Sequence, residues 1–181
     1  RLLVTLEQQK ESPRSVIGGY FDKLLFGDHV YGNLQQGNTA TVSALTTADL
    51  KGFYAANYRP DGSAISVAGD FSAKEMKAAL SALFAGWKKG PKTNGNHAGA
   101  PISKPGESNV LLVNKDDAKE TTFIIGAPGI ARNNPDYVAI DVVNTLFGGR
   151  FTSMLNDELR VNSGLTYGAG SRFNALKNGG S

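Results

Sequence analysis

Along this chain apolar side chains recur every three to four residues in some stretches and bunch into short runs in others, and the two patterns divide it into helices and strands. Leu2, Leu3 and Leu6 share one face of an opening helix that continues through Gln8 and Lys10 to Ser12-Pro13. Pro13 starts a second helix at Ser12, carrying Val16, Ile17, Tyr20, Phe21, Leu24 and Leu25 at helical spacing and stopped by Gly27-Asp28. Residues 33 to 44 are polar and rich in Gly, Thr and Asn, which predicts a loop. Thr46 with Asp49 forms a capping box, and Leu45 with Leu50 a hydrophobic staple, for a helix carrying Phe53 and Tyr54 that ends before Arg59-Pro60. Ser72, Glu75, Phe71 and Met76 repeat that device for a helix that includes Leu80, Leu83 and Phe84 and ends near Trp87. Between these two helices, Ala64 to Gly69 predicts a short strand bounded by glycine.

From Lys88 to Ser108 the residues turn to Gly, Pro, Lys, Asn and Ser, a composition that buries too little surface to offset its ordering entropy and predicts a linker holding His97. Beyond it, Val110-Leu111-Leu112-Val113 and Thr121 to Gly126 predict two strands joined by a charged turn at Lys115-Asp116-Asp117, and Pro128-Gly129 turns the chain again. A helix then opens at Asn134-Pro135 and closes at Gly148-Gly149, with Val138, Val142 and Leu146 four apart and Ala139 and Val143 beside them; this face predicts a buried helix. Leu155 and Leu159 mark a second short helix ending at Arg160. Gly164 breaks it, and a strand starts near Leu165 with Leu165, Tyr167, Ala169, Ser171 and Phe173 on one side.

Arg160 and Tyr167 therefore flank one tight turn. A guanidinium carries five donors and a phenol one, so the pair suits a carbonyl oxygen or a peptide backbone. The plainer reading also stands: Arg160 neutralises a helix C-terminus and Tyr167 is an amphipathic core residue.

Composition narrows the classes. With 181 residues, 40% hydrophobic, 19% charged and a net charge of +3, the chain is globular, long enough for one ordinary domain or two small ones. Its lysines and arginines are scattered, with no basic stripe interleaved with aromatics, which argues against nucleic acid. The absence of cysteine excludes a disulfide framework and thiolate metal sites but leaves the compartment open, a periplasmic or secreted bacterial setting being slightly favoured over the cytoplasm. No apolar run approaches the roughly 18 residues of a membrane span. The chain begins at Arg1 on a helix already under way, which leads us to expect a longer natural N-terminus.

The run N-T-L-F-G-G-R-F-T-S-M-L followed by L-R-x-x-x-G-L-T-Y resembles the start of the second domain of the insulinase/pitrilysin-type (M16) zinc metallopeptidases. Tyr58, Pro60, Gly69, Asp70, Phe84 and Trp87 stand where the C-terminal half of such a domain has matching residues, and His29-Val30-Tyr31-Gly32 resembles the family's His-Pro-Tyr-Gly with Val30 for proline. The resemblance implies an α+β fold, the LuxS/mitochondrial processing peptidase-like two-layer α/β sandwich, here as incomplete domains. Residues 1–87 would be the C-terminal half of a first domain, 88–108 a linker, and 109–181 the N-terminal half of a second. Such domains close like a clamshell over a peptide. In the family the Arg and Tyr of the motif contact substrate near the scissile bond, which implies substrate-binding roles for Arg160 and Tyr167; the strand around Thr121 to Gly126 would line the chamber.

Zinc hydrolysis needs three protein ligands, an open position for water and a base nearby. The family supplies them from a His-x-x-Glu-His helix and a distant glutamate. Here His29 and His97 are the only histidines, and neither is expected to be a ligand. The glutamate's place on the opening helix holds Thr5, while Glu7 lies about 200° round the helix from it and Glu11 also falls elsewhere on the turn. The expectation is no catalytic residue and no metal site in this fragment, zinc being a property of the family. Two functions follow: the peptide-holding part of a zinc endopeptidase whose metal lies elsewhere, or a non-catalytic M16 homologue acting as partner subunit or structural protein. Expected partners are a peptide or unfolded protein and an M16 partner subunit or a second copy.

Overall fold

The computed structural model describes residues 1–90, 102 and 108–181, so most of the expected linker, His97 included, lies outside the described residues. In chain order the helices are α1 (Leu2–Gln9), α2 (Pro13–Phe26), α3 (Thr39–Ala44), α4 (Thr47–Asn57), α5 (Ala73–Leu83), α6 (Tyr137–Phe147) and α7 (Met154–Asn156), and the strands are β1 (Ala175–Leu176) and β2 (Gly179–Gly180). They form two compact units, one made of Arg1–Gly37 with Ala98–Ser181 and the other of Asn38–His97.

In the first unit α2 begins as the sequence requires, with Ser12 extended and Pro13 at the first helical position, where its missing N–H costs nothing. Lys23 Nζ donates to the Gly27 carbonyl at 2.9 Å, placing a cation at the C-terminal end of the helix dipole. A 3-10 turn at Val30–Gly32 follows, capped by His29, whose Nδ1 accepts from the Tyr31 amide at 3.1 Å. The Tyr31 hydroxyl in turn accepts from the Asn178 amide at 3.2 Å, across 147 residues of chain. Asn178 belongs to the turn of the antiparallel β1–β2 hairpin, against which Gly129 forms a bridge to Gly180. The charged turn is tied to the N-terminal segment by Lys115, 2.6 Å from Asp117 and 3.6 Å from Glu11.

The second unit keeps its two predicted helices. Thr46 and Asp49 cap α4 reciprocally, the Asp49 carboxylate accepting from the Thr46 amide at 2.8 Å. Ser72 caps α5 in one direction only, accepting from the Glu75 amide at 3.4 Å, and α5 stops at Leu83, short of Trp87. An apolar cleft of about 450 Å³ runs between α5 and the chain before it, lined among others by Ile65, Val67, Phe71, Met76, Leu80 and Trp87.

Four sequence expectations are corrected. The stretch from 33 to 44 is not all loop: Asn38 and Thr41 form a capping box that starts α3, because the same Asn and Thr that favour turns are also the best caps. Helix α6 starts at Tyr137 rather than at Asn134-Pro135, since Asn134 Oδ1 takes the Asp136 amide at 2.9 Å and holds a turn there. It is also not a buried helix: Val138 is 69% exposed and Val142 57%, and the residue it buries is Asn144. Finally, the runs 64–69, 110–113, 121–126 and 165–173 form no strands. A strand is stable only when a neighbour takes up its backbone N–H and C=O groups, and among the described residues only the β1–β2 hairpin and the Gly129–Gly180 bridge make such a pairing.

The apolar faces are thus present but uncovered. Among the described residues Leu6 and Phe26 are the buried hydrophobic side chains.

Candidate functional site

Helix α6 ends in a pair of glycines for a geometric reason. The amides of Gly148 and Gly149 both donate to the Asn144 carbonyl, at 2.9 and 2.8 Å, and the Gly148 carbonyl accepts from the Ser171 amide at 2.9 Å. A Cβ on Gly148 would collide with Ser171, so only glycine lets the two backbones meet. Asn144 completes the junction: its Oδ1 accepts from Ser171 Oγ at 2.7 Å and its Nδ2 donates to the Ser171 carbonyl at 3.3 Å.

A second asparagine, in α7, does the same. Ser153, 1% exposed, caps the short helix α7 by accepting from the Asn156 amide. Asn156, 2% exposed, donates through Nδ2 to the Phe151 carbonyl and accepts through Oδ1 from the Ala169 amide at 3.0 Å. Asn144 and Asn156 therefore clamp segment 168–171 against the end of α6 and the turn that follows it.

After α7 the chain widens into a π-helical turn at Asp157–Asn162, an uncommon geometry that recurs at functional sites. It closes on Gly164, at φ +63°, with the Leu165 and Thr166 amides both reaching back to the Leu159 carbonyl at 3.0 and 3.3 Å. That closure resembles an ordinary glycine C-cap, widened by the extra residue of the π turn.

The outcome of these constraints is a cluster of three side chains. The Arg160 guanidinium carbon lies 5.2 Å from the centre of the Tyr167 ring and 4.4 Å from that of Phe151, both within cation–π range. The turn therefore brings Arg160 and Tyr167 together, as their spacing about Gly164 suggests, although no strand carries Tyr167. Tyr167 is 81% exposed rather than packed in a core. Neither the guanidinium nor the phenol hydroxyl has a hydrogen-bond partner among the described residues; Arg160 is half-buried and Tyr167 exposed. Such a cluster can bind carbonyl or carboxylate oxygen; it offers donors and apolar faces.

Sequence reasoning missed Phe151, Asn144 and Asn156. A signal for Asn144 was available: Asn is a weak helix former, and one set inside the apolar run Val142-Val143-Asn144-Thr145-Leu146 has to serve hydrogen bonding rather than packing. Phe151 gave no such signal, because an aromatic in a turn reads as ordinary surface.

Elsewhere, burial raises the Asp22 carboxyl above its ordinary value, opposed by the Arg172 charge. His29 packs edge-on against Tyr31 with ring centres 4.5 Å apart, and its Nε2 is buried without a partner. That orphan nitrogen could invite a metal, but its surroundings do not fit zinc: no group of three or more His, Cys, Asp or Glu that could hold a metal exists among the described residues. Thr5 spends its hydroxyl on the Arg1 carbonyl at 3.4 Å, Glu7 on Lys10, and Glu11 on Lys115. No helix of the described residues is long and apolar enough to cross a membrane.

Comparison with known proteins agrees with this architecture. An uncharacterized zinc protease of Mycobacterium leprae is 29% identical over 186 residues, covering 99% of this chain and 40% of the relative. One of Streptomyces coelicolor is 28% identical over 174 residues, covering 92% and 37%. The chain thus spans about 40% of the length of the curated relatives it matches. Among solved structures, a peptidase M16 inactive domain from Pseudomonas fluorescens aligns with a TM-score of 0.73 at 28% identity, over 99% of this chain and 42% of that one. A Helicobacter pylori protease shares the fold with a TM-score of 0.76 at 20% identity, over 99% and 44%. The fold is therefore α+β and M16 peptidase-like, in a family whose relatives carry the name of zinc proteases. The family model described as the peptidase M16 inactive domain matches residues 44–181, most of the sequence, and the chain belongs to that family.

Proposed function

We propose that this chain is the substrate-holding part of an M16-type zinc-dependent endopeptidase, gripping an extended peptide for hydrolysis at a zinc site outside these residues. The observation that carries the reading is the Arg160–Tyr167 pair, 5.2 Å apart, exposed at the phenol and with hydrogen-bond donors uncommitted. A peptide backbone offers carbonyl oxygens at regular intervals, and a guanidinium beside a phenol can take one from two directions. In this reading residues 1–87 complete one M16-like domain, 109–181 begin the next, and the uncovered apolar faces meet an M16 partner subunit or a second copy. The test is peptide cleavage by the full-length protein. Arg160→Ala and Tyr167→Phe each lower kcat/KM about tenfold or more if their contacts tighten in the transition state, and unchanged turnover removes both from the site.

A second reading is favoured by Thr5 at the glutamate's place: the parent is a non-catalytic homologue that supports an active subunit. Zinc analysis of the purified full-length protein separates the two. Stoichiometric zinc supports the peptidase, and metal well below one per chain supports the partner subunit.

A further inference from the structure

We infer that Phe151 is the positioning residue of the grip, the ring against which the Arg160 guanidinium is held ready for a peptide oxygen. This rests on the proposed role of Arg160 and Tyr167 and adds to it the part that keeps Arg160 in place. The Phe151 ring is nearer the guanidinium than Tyr167 is, 4.4 Å against 5.2 Å, so of the two aromatic contacts it is the closer.

The two rings differ in how they are fixed. Tyr167 follows the Gly164 bend, where the only glycine-specific restraint is backbone conformation, and its own hydroxyl is proposed to bind ligand. Phe151 stands on a turn fastened from both sides: the Arg150 carbonyl accepts from the Ser153 amide at 3.2 Å, and the Phe151 carbonyl accepts from the buried Asn156. A guanidinium held over a ring by a cation–π contact spends none of its N–H hydrogen bonds on that contact, which leaves them for a ligand. Arginine otherwise has many rotamers, and one held in its binding conformation loses less on binding than a free one. Phe151 is 65% exposed, which makes its ring face available to Arg160 rather than committed to a core.

The experiment measures equilibrium binding of fluorescein-labelled casein, an unfolded polypeptide, to the full-length protein by fluorescence anisotropy, and so does not depend on turnover. The variants are Arg160→Ala, Phe151→Leu, Phe151→Met and Phe151→Trp. Leu and Met remove the π face while keeping apolar bulk, and Trp retains it as the strongest cation–π partner. We expect Kd to rise roughly three- to fivefold for Leu and Met, the loss of one exposed cation–π contact, and to stay within about twofold of wild type for Trp. If Leu does not fold, Met carries the comparison. Weakened binding in Arg160→Ala together with wild-type binding in Phe151→Leu or Phe151→Met overturns the role of Phe151 and spares the grip. Trp weakening binding as much as Leu also overturns it, because the site then needs that shape rather than a ring face. Wild-type binding in Arg160→Ala removes the grip itself, and the role of Phe151 falls with it.

Discussion

Replacing Asn156 by Ala tests whether segment 168–171 is held by the asparagine clamp. The substitution removes two side-chain hydrogen bonds and strands their partners, the Phe151 carbonyl and the Ala169 amide, while leaving the backbone bond of residue 156 to Ser153. A buried polar group left without a partner costs about 1–3 kcal/mol. Both stranded groups are only partly buried, so water reaches them and the low end applies, giving a loss of about 2 kcal/mol for the pair. In a protein of this size that lowers Tm by about 4–8 °C, measurable by differential scanning calorimetry. The local readout is sharper: hydrogen exchange at the Ala169 amide accelerates roughly 30-fold, 2 kcal/mol being about a factor of 30. Asn162→Ala is the control, because its bond to Glu158 at 2.9 Å is exposed and its loss stays within about 0.5 kcal/mol. If Asn156→Ala melts with the wild type and leaves Ala169 exchange unchanged, the clamp is not what positions the site.

Two further outcomes follow from local geometry. Gly164 sits at φ +63° with open space where a Cβ would go, so Gly164→Ala loses about 1 kcal/mol from backbone conformation alone; Gly164→Asn loses less, and equal urea midpoints for Ala and Asn would contradict this. The Asp49 carboxyl is held below its ordinary value of 3.8 by hydrogen bonds from the Thr46 side chain and backbone. A depressed folded value means that the stabilisation of α4 is present above the unfolded value and is lost as pH falls through the folded one. Stability therefore declines as pH drops below about 4, and Asp49→Asn makes that acid limb shallower in far-UV circular dichroism; an unchanged limb counts against the capping box.

Sequence alone determined what depends on a few consecutive residues. The start of α2 at Pro13, the reciprocal cap of α4 by Thr46 and Asp49, and the bend at Gly164 are each fixed by bonds or dihedral preferences spanning at most four positions. The motif between Asn144 and Tyr167 carried the family for the same reason, and it brought Arg160 and Tyr167 to one turn. Tertiary structure decided the rest, because it depends on atoms that are distant in the chain. Apolar alternation at 110–113 and 121–126 says that a residue suits a strand, but a strand exists only where another backbone supplies the bonds. The periodicity of α6 marked an apolar face without saying whether anything covers it, and Val138 and Val142 lie exposed. Which residues hold the site was likewise set by contacts at 13 and 27 residues' separation, where Asn156 meets Ala169 and Asn144 meets Ser171. An asparagine's partners are chosen by which backbone groups the fold brings within hydrogen-bonding distance, and no local pattern encodes that.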